Sequence, residues 1–276
     1  MVPTPDALSF GVMTGGPDTD VARLESMPFD SLWVGGHVAS RNPSPEAMVA
    51  LAWLAARTER VRVGTAILLL PLYPPAIVAK QIADLDRATG GRVTLGVGVG
   101  GEYPDEFAAC GVPLGERGPR TDETIPLLRE LWSGEPVTHH GRAADFDAVR
   151  IHPSPAQGPR LPIAVAGRQP VAMRRAARLG DGWLHGGGDP ADLPGLLARL
   201  ARFRAEEGTE GRPFEVHVIS ADAYTLDGVR RLEDQGVTDL IVGFRWPYVT
   251  GPDPEPLDSK LTHLRRYADT IIAKTQ

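Results

Sequence analysis

Short apolar runs and amphipathic stretches alternate along the chain, and this alternation limits the fold more than any other feature. The runs that read as strands are Leu8–Met13, Ser31–Val34, Val61–Ile67, Arg92–Val99, Leu161–Ala166, Gly182–His185, Phe214–Ser220 and Thr238–Phe244. They are rich in Val, Ile, Leu and Phe, and several are almost continuously apolar. Strands of a parallel sheet covered by helices have that character. Helix patterns lie between them. Pro43-Ser44-Pro45-Glu46 opens one, with Ser44 as its cap, and Met48, Leu51, Ala52, Ala55 and Ala56 form its apolar stripe. Pro75–Arg87, a helix starting at Thr121, Val171–Leu179, Leu193–Glu207, Leu226–Gln235 and Ser259–Lys274 follow. About eight strand–helix units in roughly 250 residues is the count of a (β/α)8 barrel. The sequence therefore predicts an α/β chain folded as one TIM-barrel domain over residues 1–276, with a doubly wound sheet as its rival. Gly134–Arg160 breaks the rhythm with Gly, Pro and His and no long helix; it is expected to be an inserted loop serving as a lid or a subunit contact.

Composition narrows the function. The formal charge of −6 over 276 residues lacks the basic excess of a nucleic-acid binder. No apolar run approaches the roughly 20 residues that span a bilayer. The start, Met1 to Asp6, has neither a basic nor an apolar signal region. The lone Cys110 leaves no intrachain disulfide and fits a reducing compartment. A soluble cytoplasmic protein is the expectation, with neither nucleic acid nor membrane as partner.

In a barrel of this type the chemistry sits at the C-terminal ends of the strands. Beyond the second run come Gly35, Gly36 and His37; beyond the fourth come Gly98, Val99, Gly100, Gly101 and Glu102; beyond the fifth come Ala166, Gly167 and Arg168. Gly96-Val97-Gly98-Val99-Gly100-Gly101 superficially matches a dinucleotide fingerprint, but Tyr103-Pro104 follows where a helix should open at once. The glycines fit either a close backbone approach to a flat ligand or plain turns. Ala166-Gly167-Arg168-Gln169-Pro170 reads as a phosphate cradle at a helix start, or as an ordinary turn. His37 and Glu102 are the candidate acid–base groups. No His-Glu-x-x-His or Gly-x-Ser-x-Gly motif occurs, which disfavours a metallohydrolase and a serine hydrolase.

Several segments carry a family resemblance. They are Phe29-Asp30-Ser31-Leu32-Trp33-Val34, Val61-Arg62-Val63-Gly64-Thr65-Ala66-Ile67, Ala79 to Asp86, Gly90 to Gly100, Glu106 to Pro113, Arg117 to Glu123 and Arg174 to Trp183. In this order they resemble the bacterial luciferase-like monooxygenase superfamily, and the short chain with its Gly96–Gly100 segment is most similar to actinobacterial F420-type oxidoreductases. The resemblance implies a (β/α)8 barrel, often a homodimer, that binds the deazaflavin F420 or FMN at the strands' C-terminal ends. It implies a cis peptide at Ala66-Ile67 behind the ring, a phosphate grip from Gly167 and Arg168, and apolar walls from Leu69, Trp183 and Trp246. The family commonly has Asp-His after the second strand where this chain has Gly36-His37. Glycines around Gly100 stand where a phosphate-binding Arg is found in luciferases. The implied reaction is hydride transfer between F420 and an organic substrate, with His37 or Glu102 relaying the proton. The alternatives are an FMN-dependent monooxygenase and a non-catalytic flavin- or deazaflavin-binding protein.

Overall fold

The computed structural model describes residues 8–15, 19–244 and 254–275. The terminus Met1 to Asp6 and the wall residue Trp246 lie outside the described residues.

All eight predicted strands form. They are β1 (Ser9–Met13), β2 (Ser31–Val34), β3 (Arg62–Thr65) with its continuation β4 (Leu68–Leu69), β5 (Val93–Gly98), β8 (Ile163–Ala166), β9 (Gly182–Leu184), β10 (Glu215–Val218) and β11 (Asp239–Gly243). Each pairs in parallel with the next, β3 and β4 both pair with β5, and β1 pairs with β11. The ring is closed, which rules out the open doubly wound sheet. The third strand is interrupted at Ala66-Ile67, whose peptide is cis.

The helices are α1 (Val21–Glu25), α2 (Ala47–Ala55), α3 (Pro75–Ala88), α4 (Pro104–Ala109), α5 (Arg117–Leu131), α6 (Pro170–Leu179), α7 (Leu193–Glu206), α8 (Leu226–Asp234) and α9 (Leu257–Thr270). Two expectations are corrected. The cap of α2 is Glu46 rather than Ser44: its carboxylate accepts from the amides of Met48 and Val49. A carboxylate there also meets the positive end of the helix dipole. The inserted segment is not a bare loop. It forms an antiparallel hairpin, β6 (Val137–His140) and β7 (Asp145–Val149). Glu123 of α5 holds it, accepting from the amides of Arg142 and Ala143 and pairing with His139 Nε2 at 2.8 Å. Further on, the Gln157 amide donates to buried Asp86 at the end of α3.

Strand residues alternate between the helix layer and the barrel interior. Val12, Leu32, Val63, Leu95, Val165, Trp183 and Leu240 join the large apolar core with the helices. The interior is layered. Near the strands' N-terminal ends Arg62 forks onto Glu215 at 3.0 and 3.1 Å and donates to Thr94. Beside it His217 Nε2 lies 3.1 Å from Glu215 and Nδ1 lies 3.7 Å from Asp239. These are ion-pair distances, although neither ring nitrogen completes a well-aligned hydrogen bond. Above this polar layer lies Trp33, fully buried, with its ring edge-on to His217. Glycine neighbours make room for it: a Cβ at Gly64 would come within 2.5 Å of the Trp33 ring.

Burial alone would raise the Glu215 pKa, but His217 and Arg62 outweigh it and hold the carboxyl at about 2. A carboxyl depressed in the folded chain stabilises the fold above its unfolded pKa and loses that contribution as pH falls through the folded value. Glu25 and Glu123 are lowered as well, by backbone hydrogen bonds and by His139 and two amides respectively, against the opposing effect of burial. Stability is therefore expected to fall between about pH 4.5 and about pH 2. Glu215→Gln should flatten that part of a plot of thermal midpoint against pH.

Candidate active site

The strands' C-terminal ends surround a small apolar cup. Trp33, Leu184 and Ile241 form its buried floor, with Met13, Ala66, Ile67, Ala166 and Ile219 packed on them and partly open. On one side Ile67 continues into a second cluster with Leu69, Leu72, Phe107 and Val112. Gly98 is buried against this wall, and a Cβ there would lie 2.1 Å from Ile67 Cδ1. The glycines after β5 thus let backbone pass close to the cup. The dinucleotide reading has no structural basis, because α4 does not open until Pro104.

At the end of β2 the backbone turns through Gly35 and Gly36 into His37. A Cβ on Gly36 would fall 2.2 Å from the Pro45 carbonyl oxygen. The chain entering α2 therefore fills the space that a side chain at position 36 would need.

His37 meets an acid, but not Glu102. Its Nδ1 lies 3.3 Å from both carboxylate oxygens of Glu106, and Glu106 also accepts from the Val38 amide at 3.2 Å. Glu106 is 0% exposed, whereas the His37 side chain is 26% exposed. Glu102 points to solvent on the loop before α4. The difference is local: α4 begins at Pro104, so Glu106 lies in its first turn and is carried inward beside Phe107. A buried carboxylate against Nδ1 fixes the ring's orientation and leaves Nε2 to exchange a proton with a ligand. The Tyr103 ring stands edge-on to His37 with centroids 4.9 Å apart.

The other side of the mouth carries the candidate anion grip. Gly167 has φ +130° and precedes α6, which begins at Pro170 with no side-chain cap. Arg168 reaches Asp192 at 2.6 Å and lies over Gly188, where a Cβ would clash with its guanidinium at 2.2 Å. Its Nε is buried without a partner. Trp183, expected as a cofactor wall, instead faces the helix layer, and its indole nitrogen donates to the Gly167 carbonyl at 2.8 Å. It braces the loop rather than lining the cup, because Gly182 and Leu184 take the inward positions of that strand. His185 shares the outward face; burial lowers its pKa and its Nε2 has no partner.

Sequence reasoning did not assign a site role to Glu106, Arg117 or the Gly186–Gly188 turn. Arg117 opens α5, and its Nε would be 3.3 Å from a Cβ on Gly101. It thus places a cation beside the glycines that follow β5. The signal for Glu106 was its place just after Pro104, in a helical first turn. An apolar floor, a glycine-lined edge, a histidine on one side and an unpartnered guanidinium nitrogen on the other together fit a planar ring with an anionic tail.

Closed barrel and apolar cup together define a (β/α)8 fold with a candidate site at the strands' C-terminal ends. A family model for luciferase-like monooxygenase matches residues 20–251. The chain belongs to that family, whose members are F420- or FMN-dependent oxidoreductases and monooxygenases. An uncharacterized protein of Mycobacterium tuberculosis is 48% identical over 84% of this chain and 79% of its own length. An F420-dependent glucose-6-phosphate dehydrogenase of Kineococcus radiotolerans is 32% identical over 70% of this chain, and the match spans 60% of that relative. Among solved structures, the F420-dependent tetrahydromethanopterin reductase of Methanopyrus kandleri superposes with a TM-score of 0.77 at 18% identity, over 98% of this chain and 100% of the other. None of the described helices is long and apolar enough to cross a membrane.

Proposed function

We infer that the protein transfers a hydride between coenzyme F420 and a small organic substrate. The observation that carries this reading is the His37–Glu106 pair beside an apolar cup. The similarity to F420-dependent glucose-6-phosphate dehydrogenases supports the deazaflavin over other redox groups. When bound, F420 supplies the ring carbon that accepts or releases the hydride.

The chain's own residues do the rest. Ala66 and Ile67 would support one face of the ring, with Gly98, Val99, Gly100 and Gly101 along its edge. Ala166, Gly167 and Arg168 would hold the anionic tail, and Trp183 steadies that loop from behind. The apolar floor excludes water, which strengthens every polar contact at the reacting centre. His37 takes or gives the proton at Nε2 while Glu106 keeps the ring aligned.

A second reading is an FMN-dependent monooxygenase. It is favoured by similarity to the 4-hydroxyprotoasukamycin monooxygenase of Streptomyces nodosus, 35% identical over 74% of this chain and 59% of that protein. Two measurements separate the readings. F420 and FMN are titrated against the purified protein by fluorescence, and turnover is then compared without oxygen. F420 binding with anaerobic substrate oxidation or reduction supports the first reading. Oxygen consumption with reduced FMN, and no F420 binding, supports the second. Tight F420 binding with no turnover on a broad panel would point to a carrier.

A further inference from the structure

Beside His37 lies a polar cleft to which the reaction above gives no role. It lies between residues 39–42, which follow β2, and 102–105, which follow β5, and encloses about 700 Å3. Tyr103 lines it and stands against His37, so the cleft borders the proton-transferring group. Three charged side chains line it: Arg41 on one wall, Glu102 and Asp105 on the other. All three are exposed, and among the described residues none of them makes a side-chain hydrogen bond or ion pair. Elsewhere Arg62, Arg129, Arg168 and Arg175 are each tied to a carboxylate. A guanidinium and two carboxylates that share a cleft without meeting leave room for a ligand between them.

The donor chemistry of the two walls is complementary. Guanidinium only donates, and its fork matches a carboxylate or phosphate; ionised carboxylates only accept. A ligand that satisfies both walls must bring an anionic acceptor to one and hydroxyl donors to the other. We propose that this cleft is the substrate site, and that the substrate is a small hydroxylated acid whose anionic group forks onto Arg41 while its hydroxyls donate to Glu102 and Asp105. This rests on the hydride-transfer reading given above. An alcohol of this kind suits that reaction: its carbinol C–H bond breaks with the electron pair leaving as hydride to oxidised F420. The O–H proton goes to His37, and a C=O bond forms.

The test is calorimetric titration of the full chain, with and without F420, using three probes on one carbon skeleton: sorbitol, gluconate and sorbitol 6-phosphate. At least one acid should bind more tightly than sorbitol, and comparing the two tells carboxylate from phosphate. Arg41→Ala should weaken acid binding about ten- to a hundredfold, the scale of a lost charge-assisted hydrogen bond, and leave sorbitol unchanged. The proposal is overturned if neither acid binds, if sorbitol binds as tightly, or if Arg41→Ala leaves acid affinity intact. F420 binding is followed separately by its fluorescence. Arg41-dependent acid binding in a protein that ignores F420 upholds the cleft and overturns the proposed reaction instead.

Discussion

His37→Ala is expected to lower the rate of hydride transfer by about 10²–10⁴-fold, the usual contribution of a positioned acid–base group. F420 affinity should change little, because the floor and the anion grip are untouched. The partner test is Glu106→Gln. The amide keeps the shape of the carboxylate but accepts with one oxygen only, so the ring that meets both oxygens at 3.3 Å loses half of its hold. Its effect should be smaller than that of His37→Ala and lie in kcat rather than in cofactor binding. Because Glu106 acts through His37, the double variant should be no slower than His37→Ala alone. Single-turnover rates with preloaded cofactor measure this directly. Additive losses in the double variant would show that the carboxylate acts on the substrate independently.

The largest effect on stability is expected at Arg62. Its guanidinium forks onto Glu215 and donates to Thr94, joining β3, β5 and β10 across the barrel interior. Arg62→Met leaves the buried Glu215 with only His217 beside it. Breaking a buried pair from one side costs about 3–5 kcal/mol, and the lower figure applies because water reaches Arg62; its side chain is 32% exposed. That corresponds to a fall of about 6–12 °C in thermal midpoint for a chain of this size. Adding Glu215→Gln removes the stranded charge and should restore much of the loss. Urea denaturation of the three proteins decides this; equal stability of Arg62→Met and the wild type would mean that the pair contributes nothing net. The acid-range prediction for Glu215 concerns the same network, so the two effects are not independent.

The barrel could be read in the sequence because each strand is a short apolar run set between turn residues and helix stripes. The hairpin could not, since Val137–His140 and Asp145–Val149 are short, mostly polar, and held by Glu123 from another element. His37 was singled out by its place just beyond a strand. Glu102 was chosen by the same rule and lies on the exposed loop, while Glu106, four residues later, reaches the histidine. Trp183 was misplaced for a related reason: a run of three apolar residues does not reveal which of them faces inward.

Periodicity thus determined the strand–helix order and the count of staves, because those depend only on local pattern and on how parallel strands must be covered. Closure of the ring decided the rest. Strand register chose which side chains face the cup, and the start of α4 chose which carboxylate meets His37. Such choices rest on contacts between residues far apart in the chain, 69 positions for His37 and Glu106, and no local pattern encodes them.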